Sequence, residues 1–311
     1  MPSILSEPRF HNEQAAFAYV EERLWPNGPV CPFCEATAEK IGALKGSATR
    51  IGLRKCYACR KQFTVRIGTI FESSHVPLRI WLQAMHLMCS SKKGISTRQL
   101  QRTLGVGMKT AWFLGHRIRA AMDAGFGGFD GPVGGSGKTV EADEMYLGKS
   151  PKSRRYEGEK PPMVLSLVER DGRQRSVFLD HRNVRKALWQ HLDRDSRLVT
   201  DGHVIYRKFL PLGQHESVDH SSGEYVRDDV HTNTAEGFFS IFKRGLIGVY
   251  QHVDQKHLQR YLAEFDFRQN NRAKLGIDDV ARTENAIRGA KGKRLTYQTT
   301  GGSAGAEGAT A

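Results

Sequence analysis

Residues 231–245 read HTNTAEGFFSIFKRG, and this stretch decides how the second half of the chain is interpreted. It begins with residues that favour the start of a helix, and its apolar residues follow at helical spacing: Phe238, Phe239, Ile241 and Phe242. Glu236 and Lys243 stand seven positions apart, which is two helical turns. The sequence therefore predicts a helix that carries one carboxylate and one lysine on the same face.

Two aspartates upstream lie in strand-like segments. Asp143 is part of TVEADEMYL at 139–147, Asp201 closes LVTD at 198–201, and 34 residues separate Asp201 from Glu236. Two strand carboxylates and one helix carboxylate are suitable oxygen ligands for two Mg²⁺ or Mn²⁺ ions roughly 4 Å apart, the arrangement used in phosphoryl transfer. We expect Asp143 to bridge the ions, and Asp201 and Glu236 to bind one side each.

Each of these residues also has a simpler interpretation. Asp143 lies in an acidic run, where Glu141 shares its strand face and is the alternative ligand. Asp201-Gly202 is a good turn dipeptide by itself. Asn233 and Glu236 fit a capping box, with Asn233 as the N-cap. In the catalytic interpretation, Asn233 contacts metal or orients Glu236, and Lys243 contacts DNA near the cut instead of being only a solvated lysine.

The charge of the chain favours a polyanionic partner. The net charge is +14 and the isoelectric point is about 9.7. No acidic residue lies between Glu72 and Asp123, an interval that contains eight basic residues: Arg79, Lys92, Lys93, Arg98, Arg102, Lys109, Arg117 and Arg119. This one-sided segment favours contacts with DNA phosphates over a merely solvated basic surface.

The N-terminus, MPSILSE at residues 1–7, lacks the basic region and apolar core of a secretion signal, and no apolar run reaches membrane-spanning length. We therefore expect a cytoplasmic protein, associated with the nucleoid when it is bound to DNA, and no membrane partner.

Four of the five cysteines form two Cys-x-x-Cys pairs, Cys31/Cys34 and Cys56/Cys59, with 21 residues between the pairs. Two such pairs can place four thiolates around one structural Zn²⁺. Redox dithiols or incidental cysteines are the alternatives, but a doubled motif is more specific for zinc. With the strand-like residues 62–66 that follow, the pattern predicts a basic zinc ribbon, and we expect Cys89 to lie in a core.

Residues 76–122 predict three helices, of which the last two match a helix-turn-helix. A helix begins near Ser96 and ends at Gly105, and a longer basic helix follows from Met108. A plain helical hairpin is the alternative. The candidate DNA-binding residues are Arg98, Arg102, Lys109, Thr110 and Arg117, whereas we expect Trp112, Phe113 and Ile118 to be core.

Residues 124–138 contain seven glycines and predict a flexible linker. After this segment, the spacing of apolar residues changes from that of helices to that of strands. Strands are predicted at 139–147, 163–170, 174–180 and 197–201, with a helix near 184–193 before the last. Three antiparallel strands, a helix and a strand ending in Asp outline a ribonuclease-H-like core. We therefore expect a multidomain α+β protein, with a zinc ribbon and a helix-turn-helix before this mixed α/β catalytic core.

The predicted domains follow from these boundaries. Residues 1–70 are a helix and the zinc ribbon, 71–123 the helix-turn-helix, 124–138 the linker, 139–275 the catalytic core, and 276–311 a basic, partly disordered tail.

These motifs together resemble the DDE transposases of bacterial insertion sequences that carry an N-terminal zinc ribbon, the ISXO-like group. The resemblance covers roughly residues 10–275, and the segments that carry it are VEADEMYLG at 140–148, HTNTAEGFFS at 231–240, KRG at 243–245, GVY at 248–250, FRQNNR at 267–272 and the two cysteine pairs. It implies a ribonuclease-H-like core, Mg²⁺ dependence, recognition of terminal inverted repeats, nicking at the element ends, and strand transfer into target DNA. Members differ at the third acidic position, so Asn233 and Glu236 both stay candidates for it.

Two other functions use the same features. One is a DNA-binding regulator with a catalytically inactive, transposase-derived core, although intact Asp143, Asp201, Glu236 and Lys243 argue against it. The other is a ribonuclease or junction resolvase, which the basic N-terminal half disfavours. We expect the transposase to bind double-stranded DNA and to act as a homo-oligomer.

Overall fold

A computed structural model describes residues 3–123, 131–147, 163–179, 183–203, 205–206 and 214–295. The sequence also predicts a polar loop at 149–160 and a short helix at 206–210, and both segments, apart from Tyr206, lie outside the described residues. Within them, no helix is long and apolar enough to cross a membrane.

The N-terminal region is one helix followed by a small sheet. Helix α1 spans Glu13–Leu24, and its N-cap Asn12 accepts a hydrogen bond from the Ala15 N–H. Strands β1 (Ile41–Ala43), β2 (Arg54–Cys56) and β3 (Gln62–Phe63) form an antiparallel sheet in that order. Arg54 pairs with Glu21 at 2.5 Å, which joins the sheet to α1. The predicted first helix is confirmed, and the strand expected at 62–66 is present as the two residues of β3.

Three helices follow where the sequence predicts them: α2 (Leu78–Ser90), α3 (Thr97–Leu104) and α4 (Met108–Met122). Ser96 caps α3 by accepting from the Gln99 N–H, and Gly105 ends it in the left-handed conformation with φ 64°. Ile118 and Cys89 are fully buried, as expected. Trp112 and Phe113 are only half-buried, because this side of α4 faces an open groove beside Ser73–Val76.

The C-terminal region differs from the predicted tail at 276–311. Helix α8 spans Asp279–Arg288 and packs against α1 and α2. Ala286 and Ile287 are fully buried in the same apolar core as Trp81. We call α1, α2, α3, α4 and α8 the helical unit. Residues 296–311 lie outside the described part of the chain.

The second half is built on a five-stranded mixed sheet with the order β6-β5-β4-β7-β8. Strands β4 (Thr139–Tyr146), β5 (Met163–Glu169) and β6 (Gln174–Leu179) are antiparallel neighbours. Helix α5 (Val184–His191) leads to β7 (Arg197–Asp201), which pairs parallel to β4, and β8 (His215–Val218) pairs parallel to β7. The predicted series of three antiparallel strands, a helix and a strand ending in Asp is confirmed.

Helices cover both faces of this sheet. Helix α6 (Asn233–Gly245) continues into a π-helical turn at Leu246–Tyr250, and α7 (Leu258–Asn270) follows. Val140, Leu165 and Leu188 belong to the apolar cluster on the α5 face, whereas Val164 and Phe242 belong to the one beneath α6 and α7. We call β4–β8 with α5–α7 the sheet domain.

The end of the predicted linker contacts the sheet domain. Residues 124–130 lie outside the described residues, but Val133 is fully buried. Its N–H donates to the His191 carbonyl at 2.7 Å, and its carbonyl accepts from the Asp193 N–H at 2.9 Å. Val133 is therefore held against the end of α5, which the glycine content of the predicted linker did not predict.

A buried ionic cluster joins the helical unit to the sheet domain. Arg119 of α4 donates to Glu264 of α7 at 2.6 Å, and both side chains are almost fully buried. Glu264 also pairs with Arg268 and accepts from the Tyr250 hydroxyl at 2.7 Å. Burial would disfavour the charged carboxylate, but the two guanidinium groups and the tyrosine lower the pKa of Glu264 to about 2.

Candidate functional site

The four paired cysteines converge at one point of the N-terminal sheet. Their ligand atoms all lie within 4.8 Å of one another, and among the described residues no other three His, Cys, Asp or Glu side chains meet that limit. The Sγ–Sγ distances are 3.6 Å for Cys31 and Cys59 and 3.7 Å for Cys34 and Cys56. A tetrahedral site with Zn–S bonds of about 2.3 Å needs edges of about 3.8 Å. Cys31, Cys34, Cys56 and Cys59 therefore fit a structural Zn²⁺, as predicted.

Local backbone donors prepare one of these thiols for metal. The N–H groups of Cys59 and Ala58 donate to the Cys56 sulfur and lower its pKa to about 7, although burial acts in the opposite direction. Zinc binds the thiolate form, so a lowered pKa favours binding near neutral pH.

Asp143 and Asp201 come together because of the parallel pairing between β4 and β7. In that register Ala142 is opposite Thr200, so the next residue of each strand is an aspartate. Asp143 shares its strand face with Glu141 and Met145, which is the face covered by α6 and α7. The structure therefore places both predicted strand carboxylates at one position on the sheet.

The surroundings of Asp143 disfavour its charged form. Burial raises the pKa of Asp143 to about 7, and the negative charges of Asp201 and Glu144 act in the same direction, with a smaller effect from Glu236. Its Oδ1 accepts a hydrogen bond from the Glu144 N–H at 2.8 Å, which opposes the rise only in part. Carboxylates that repel one another in this way form a suitable cation site, and their hard oxygen donors fit Mg²⁺ or Mn²⁺.

Helix α6 brings Glu236 towards these aspartates. Its side chain is 49% exposed, and its Oε1 accepts a hydrogen bond from the Thr232 hydroxyl at 3.2 Å. The His220 Nε2 lies 3.9 Å from the same oxygen. Among the described residues, Glu236 is not part of a group of three carboxylates whose oxygens lie close together.

The capping-box interpretation of α6 is wrong. The helix begins at Asn233, and its N-cap is Thr232, whose side chain makes no capping hydrogen bond. Asn233, Glu236 and Lys243 are all exposed along one side of the helix. Lys243 thus shares a face with Glu236, as the seven-residue spacing predicts.

Glu141, the alternative to Asp143 in the sequence, is not available as a metal ligand. Its side chain is fully buried, and both carboxylate oxygens accept hydrogen bonds from Arg170, Thr234 and Ala235. The shared strand face could not distinguish the two residues, because the partners of Glu141 are distant in sequence.

A third acidic residue and a tyrosine beside the aspartates were missed in the sequence. Glu144 accepts a hydrogen bond from the Tyr206 hydroxyl at 2.5 Å, and its Oε1 lies 3.4 Å from the His203 Nδ1. Burial raises the pKa of Glu144, while the Tyr206 hydrogen bond lowers it. The only sequence signal was the placement of Tyr206 five residues after Asp201.

The predicted DNA-binding residues divide into two groups. Arg98, Arg102 and Lys109 are exposed and Thr110 is half-buried, all on the α3–α4 surface. Arg117 is only 4% exposed, and its guanidinium donates to the carbonyls of Ile70 at 2.8 Å and Glu72 at 2.7 Å. The prediction that Arg117 contacts DNA is wrong, since this side chain ties α4 to the preceding loop.

The fold and its sites define a zinc-ribbon protein with a carboxylate cluster on a mixed sheet. Sequence comparisons show which known protein family the chain is similar to. Residues 134–270 match the ISXO2-like transposase domain, and residues 11–62 match the transposase zinc-ribbon domain. The chain is therefore similar to the zinc-ribbon insertion-sequence transposases in both regions, and the predicted resemblance to that family is confirmed.

One curated relative covers most of the chain. An uncharacterized protein in transposable element ISH50 of Halobacterium salinarum is 29% identical over 278 residues, which cover 83% of this chain and 91% of the relative. No solved structure gives a significant match.

Proposed function

We propose that this protein is a transposase, which binds the terminal inverted repeats of an insertion sequence and catalyses metal-dependent nicking and strand transfer. The observation that carries the proposal is the position of Asp143 and Asp201, side by side at the junction of β4 and β7, within a domain that matches the ISXO2-like transposases. The proposed partners are double-stranded DNA at the element ends, target DNA, and further copies of the chain.

The strand arrangement supports a ribonuclease-H-like core. Three antiparallel strands lie beside two parallel ones in the order β6-β5-β4-β7-β8, with the first strand of the domain at the centre. The proposed ligands then come from three separate elements: the central strand, its parallel neighbour and a helix on one face.

We assign each residue a role from its place in this arrangement. Asp143 and Asp201 would hold the metal ions from the sheet, and Glu236 would complete the site from α6, with Asn233 as the alternative third ligand. Two bound Mg²⁺ or Mn²⁺ ions would activate the attacking oxygen and stabilise the leaving oxygen. Lys243, two turns along the exposed side of α6, would bind a phosphate near the cut.

DNA recognition is assigned to the N-terminal half. Arg98, Arg102, Lys109 and Thr110 lie on the surface of α3 and α4, and no acidic side chain occurs in the segment that contains them. We propose that these helices read the repeats as a helix-turn-helix and that the basic ribbon adds phosphate contacts. Arg117 has no part in this surface.

The test is a nicking assay on labelled DNA from the flanks of the gene, with Mg²⁺ or Mn²⁺ in the buffer. We expect the wild type to cut at a repeat end, and Asp143→Asn and Asp201→Asn to lose at least ~100-fold in rate. Asp195→Asn, which changes an exposed aspartate of the same domain, is the matched control and should cut normally.

Comparison of Glu236→Gln with Asn233→Ala identifies the third ligand. Loss of cutting in Glu236→Gln alone assigns the role to Glu236, and loss in Asn233→Ala alone assigns it to Asn233. Tight binding to the repeat ends with no cutting in either metal would contradict the proposed activity and support a DNA-binding regulator.

A further inference from the structure

Glu141 is a buried carboxylate that the proposed reaction does not use. It stands two residues before Asp143 on β4, and its side chain has no exposure to solvent. A buried carboxylate is costly unless it is paired and hydrogen-bonded, so its partners indicate what it does.

Two of those partners, Thr234 and Ala235, belong to the first turn of α6. Oε2 of Glu141 accepts from the backbone N–H of Thr234 at 2.7 Å and of Ala235 at 3.1 Å, and Oε1 accepts from the Thr234 hydroxyl at 2.9 Å. These N–H groups have no partner inside the helix, and the N-cap Thr232 does not supply one from its side chain. Glu141 therefore caps α6 from another element, with its negative charge at the positive end of the helix dipole.

Arg170 extends the same attachment to the segment before α6. Its Nε donates to Glu141 at 2.8 Å, and its two terminal nitrogens donate to the carbonyls of Asp229 at 2.7 Å and His231 at 3.0 Å. The Arg170 N–H donates to the Thr139 carbonyl at 3.0 Å, so this residue is itself fixed to the start of β4. Glu141 and Arg170 thus hold both the entry to α6 and its first turn against the central strand.

We infer that Glu141 is a positioning residue, which sets the distance between Glu236 on α6 and Asp143 on β4. Glu236 directly follows Ala235, the last residue that Glu141 holds, and Asp143 lies two residues from Glu141 along the same strand. A change at Glu141 would move the third carboxylate relative to the first without removing either. This inference rests on the proposed two-metal site.

The test measures metal binding apart from catalysis. The full-length, zinc-loaded protein is titrated with Mn²⁺, and free Mn²⁺ is followed by electron paramagnetic resonance. Loss of a residue that orients metal ligands typically weakens binding roughly 10- to 100-fold, and we expect Glu141→Gln to raise the Mn²⁺ Kd by that factor. The nicking rate at saturating Mn²⁺ should recover in part, since Asp143, Asp201 and Glu236 are all present.

Glu169→Gln is the matched control. Glu169 is a buried carboxylate on the adjacent strand β5, and its partner is Lys138 at 3.3 Å, away from α6. This variant should bind Mn²⁺ as the wild type does. Amide hydrogen exchange gives a second measurement: in Glu141→Gln, protection should fall at residues 234–236 and persist in β4.

The outcomes separate this inference from the proposed function. A wild type that neither binds Mn²⁺ at the aspartates nor nicks DNA overturns both. A normal wild type with an unchanged Mn²⁺ Kd in Glu141→Gln overturns the inference alone. If Glu141→Gln fails to fold, Thr234→Val removes only one of the hydrogen bonds, and an unchanged Kd in that variant overturns the inference.

Discussion

At the scale of single residues, His116 illustrates how burial sets a charge state. Its ring is 1% exposed, it packs against Trp112 and His257 with centroid distances of 4.2 and 4.8 Å, and neither ring nitrogen has a hydrogen-bond partner among the described residues. Burial lowers the pKa of His116 to about 3, and the positive charges of Arg119, His257 and Arg260 act in the same direction. His116 is therefore neutral in the folded protein at all ordinary pH values.

The free energy of unfolding should depend on pH through this residue. In the unfolded chain a histidine titrates near pH 6.5, so between that pH and about 3 the unfolded state binds a proton that the folded state excludes. Above pH 6.5, His116 is neutral in both states and does not reduce the free energy of unfolding. As the pH falls below 6.5 the free energy of unfolding decreases, by up to about 3 kcal/mol at pH 4.

We expect His116→Phe to flatten this acid-side loss, measured by urea unfolding between pH 4 and 7.5. His252→Phe, which replaces an exposed histidine, is the control for the loss of one imidazole. An unchanged pH profile in His116→Phe would contradict this account.

The zinc site gives a second prediction at the residue scale. Strands β1, β2 and β3 are two or three residues long, and the buried residues of the ribbon are only Cys31, Cys56 and Phe63. So small a core depends on its metal. Cys56→Ser should reduce the bound zinc from about one per chain to well below half, measured by atomic absorption. Cys89→Ala should retain its zinc, since Cys89 lies in the core of the helical unit.

The role of a residue was predicted correctly where its contact partners are close in sequence, and incorrectly where they are distant. The cysteine pairs needed only their own spacing. Arg117 was misassigned because helical periodicity gives the side of a helix, whereas its burial depends on the carbonyls of Ile70 and Glu72, more than 40 positions away. Glu141 and Asp143 share a face, and only the distant Arg170 and the first turn of α6 distinguish a structural carboxylate from a candidate ligand.

At the scale of elements, the α4–α7 contact depends on one buried carboxylate. Glu264 is fully buried and compensates both Arg119 and Arg268. We expect Glu264→Gln to destabilise the protein by about 3–5 kcal/mol, because it leaves two buried guanidinium groups without their counter-charge. Chemical unfolding measures the effect.

Tyr250→Phe is the control for this cluster, because it removes one hydrogen bond to Glu264 and no charge. It should cost only about 1 kcal/mol. Equal losses in the two variants would show that packing around Tyr250, not charge compensation, holds α4 against α7.

Among the elements, the helices and strands of the sheet domain followed from hydrophobic periodicity, but α8 did not. Its segment is largely polar, and Ala286 and Ile287 are its only fully buried apolar residues. So short an apolar stripe is significant only when the surface that receives it is known. That surface belongs to α1 and α2, which end 255 and 189 positions before α8 begins. The pairing of Val133 with the end of α5 was missed for the same reason.

At the scale of the whole molecule, α8 closes the helical unit. Ile287 is fully buried in the same core as Leu78 and Trp81. Ile287→Ala should cost about 2–5 kcal/mol, and amide exchange should increase in α1 and α2 more than in the sheet. Leu275→Ala, which shortens a partly exposed side chain by the same number of carbon atoms, should have little effect on either. A uniform rise in exchange over both halves would contradict a separate role for α8.

The return of α8 to the helical unit also sets an order of events during protein synthesis. Roughly 160 residues separate the end of α4 from the start of α8, so a ribosome needs on the order of 10–30 s to supply the missing helix. During that interval the surface of α2 that receives Ile287 stays uncovered. The basic helices assigned to DNA therefore reach their final packing only after the whole sheet domain has been synthesised. A nascent chain that stops early would lack a finished helical unit, and the order of synthesis thus links the completion of that unit to the presence of the sheet domain.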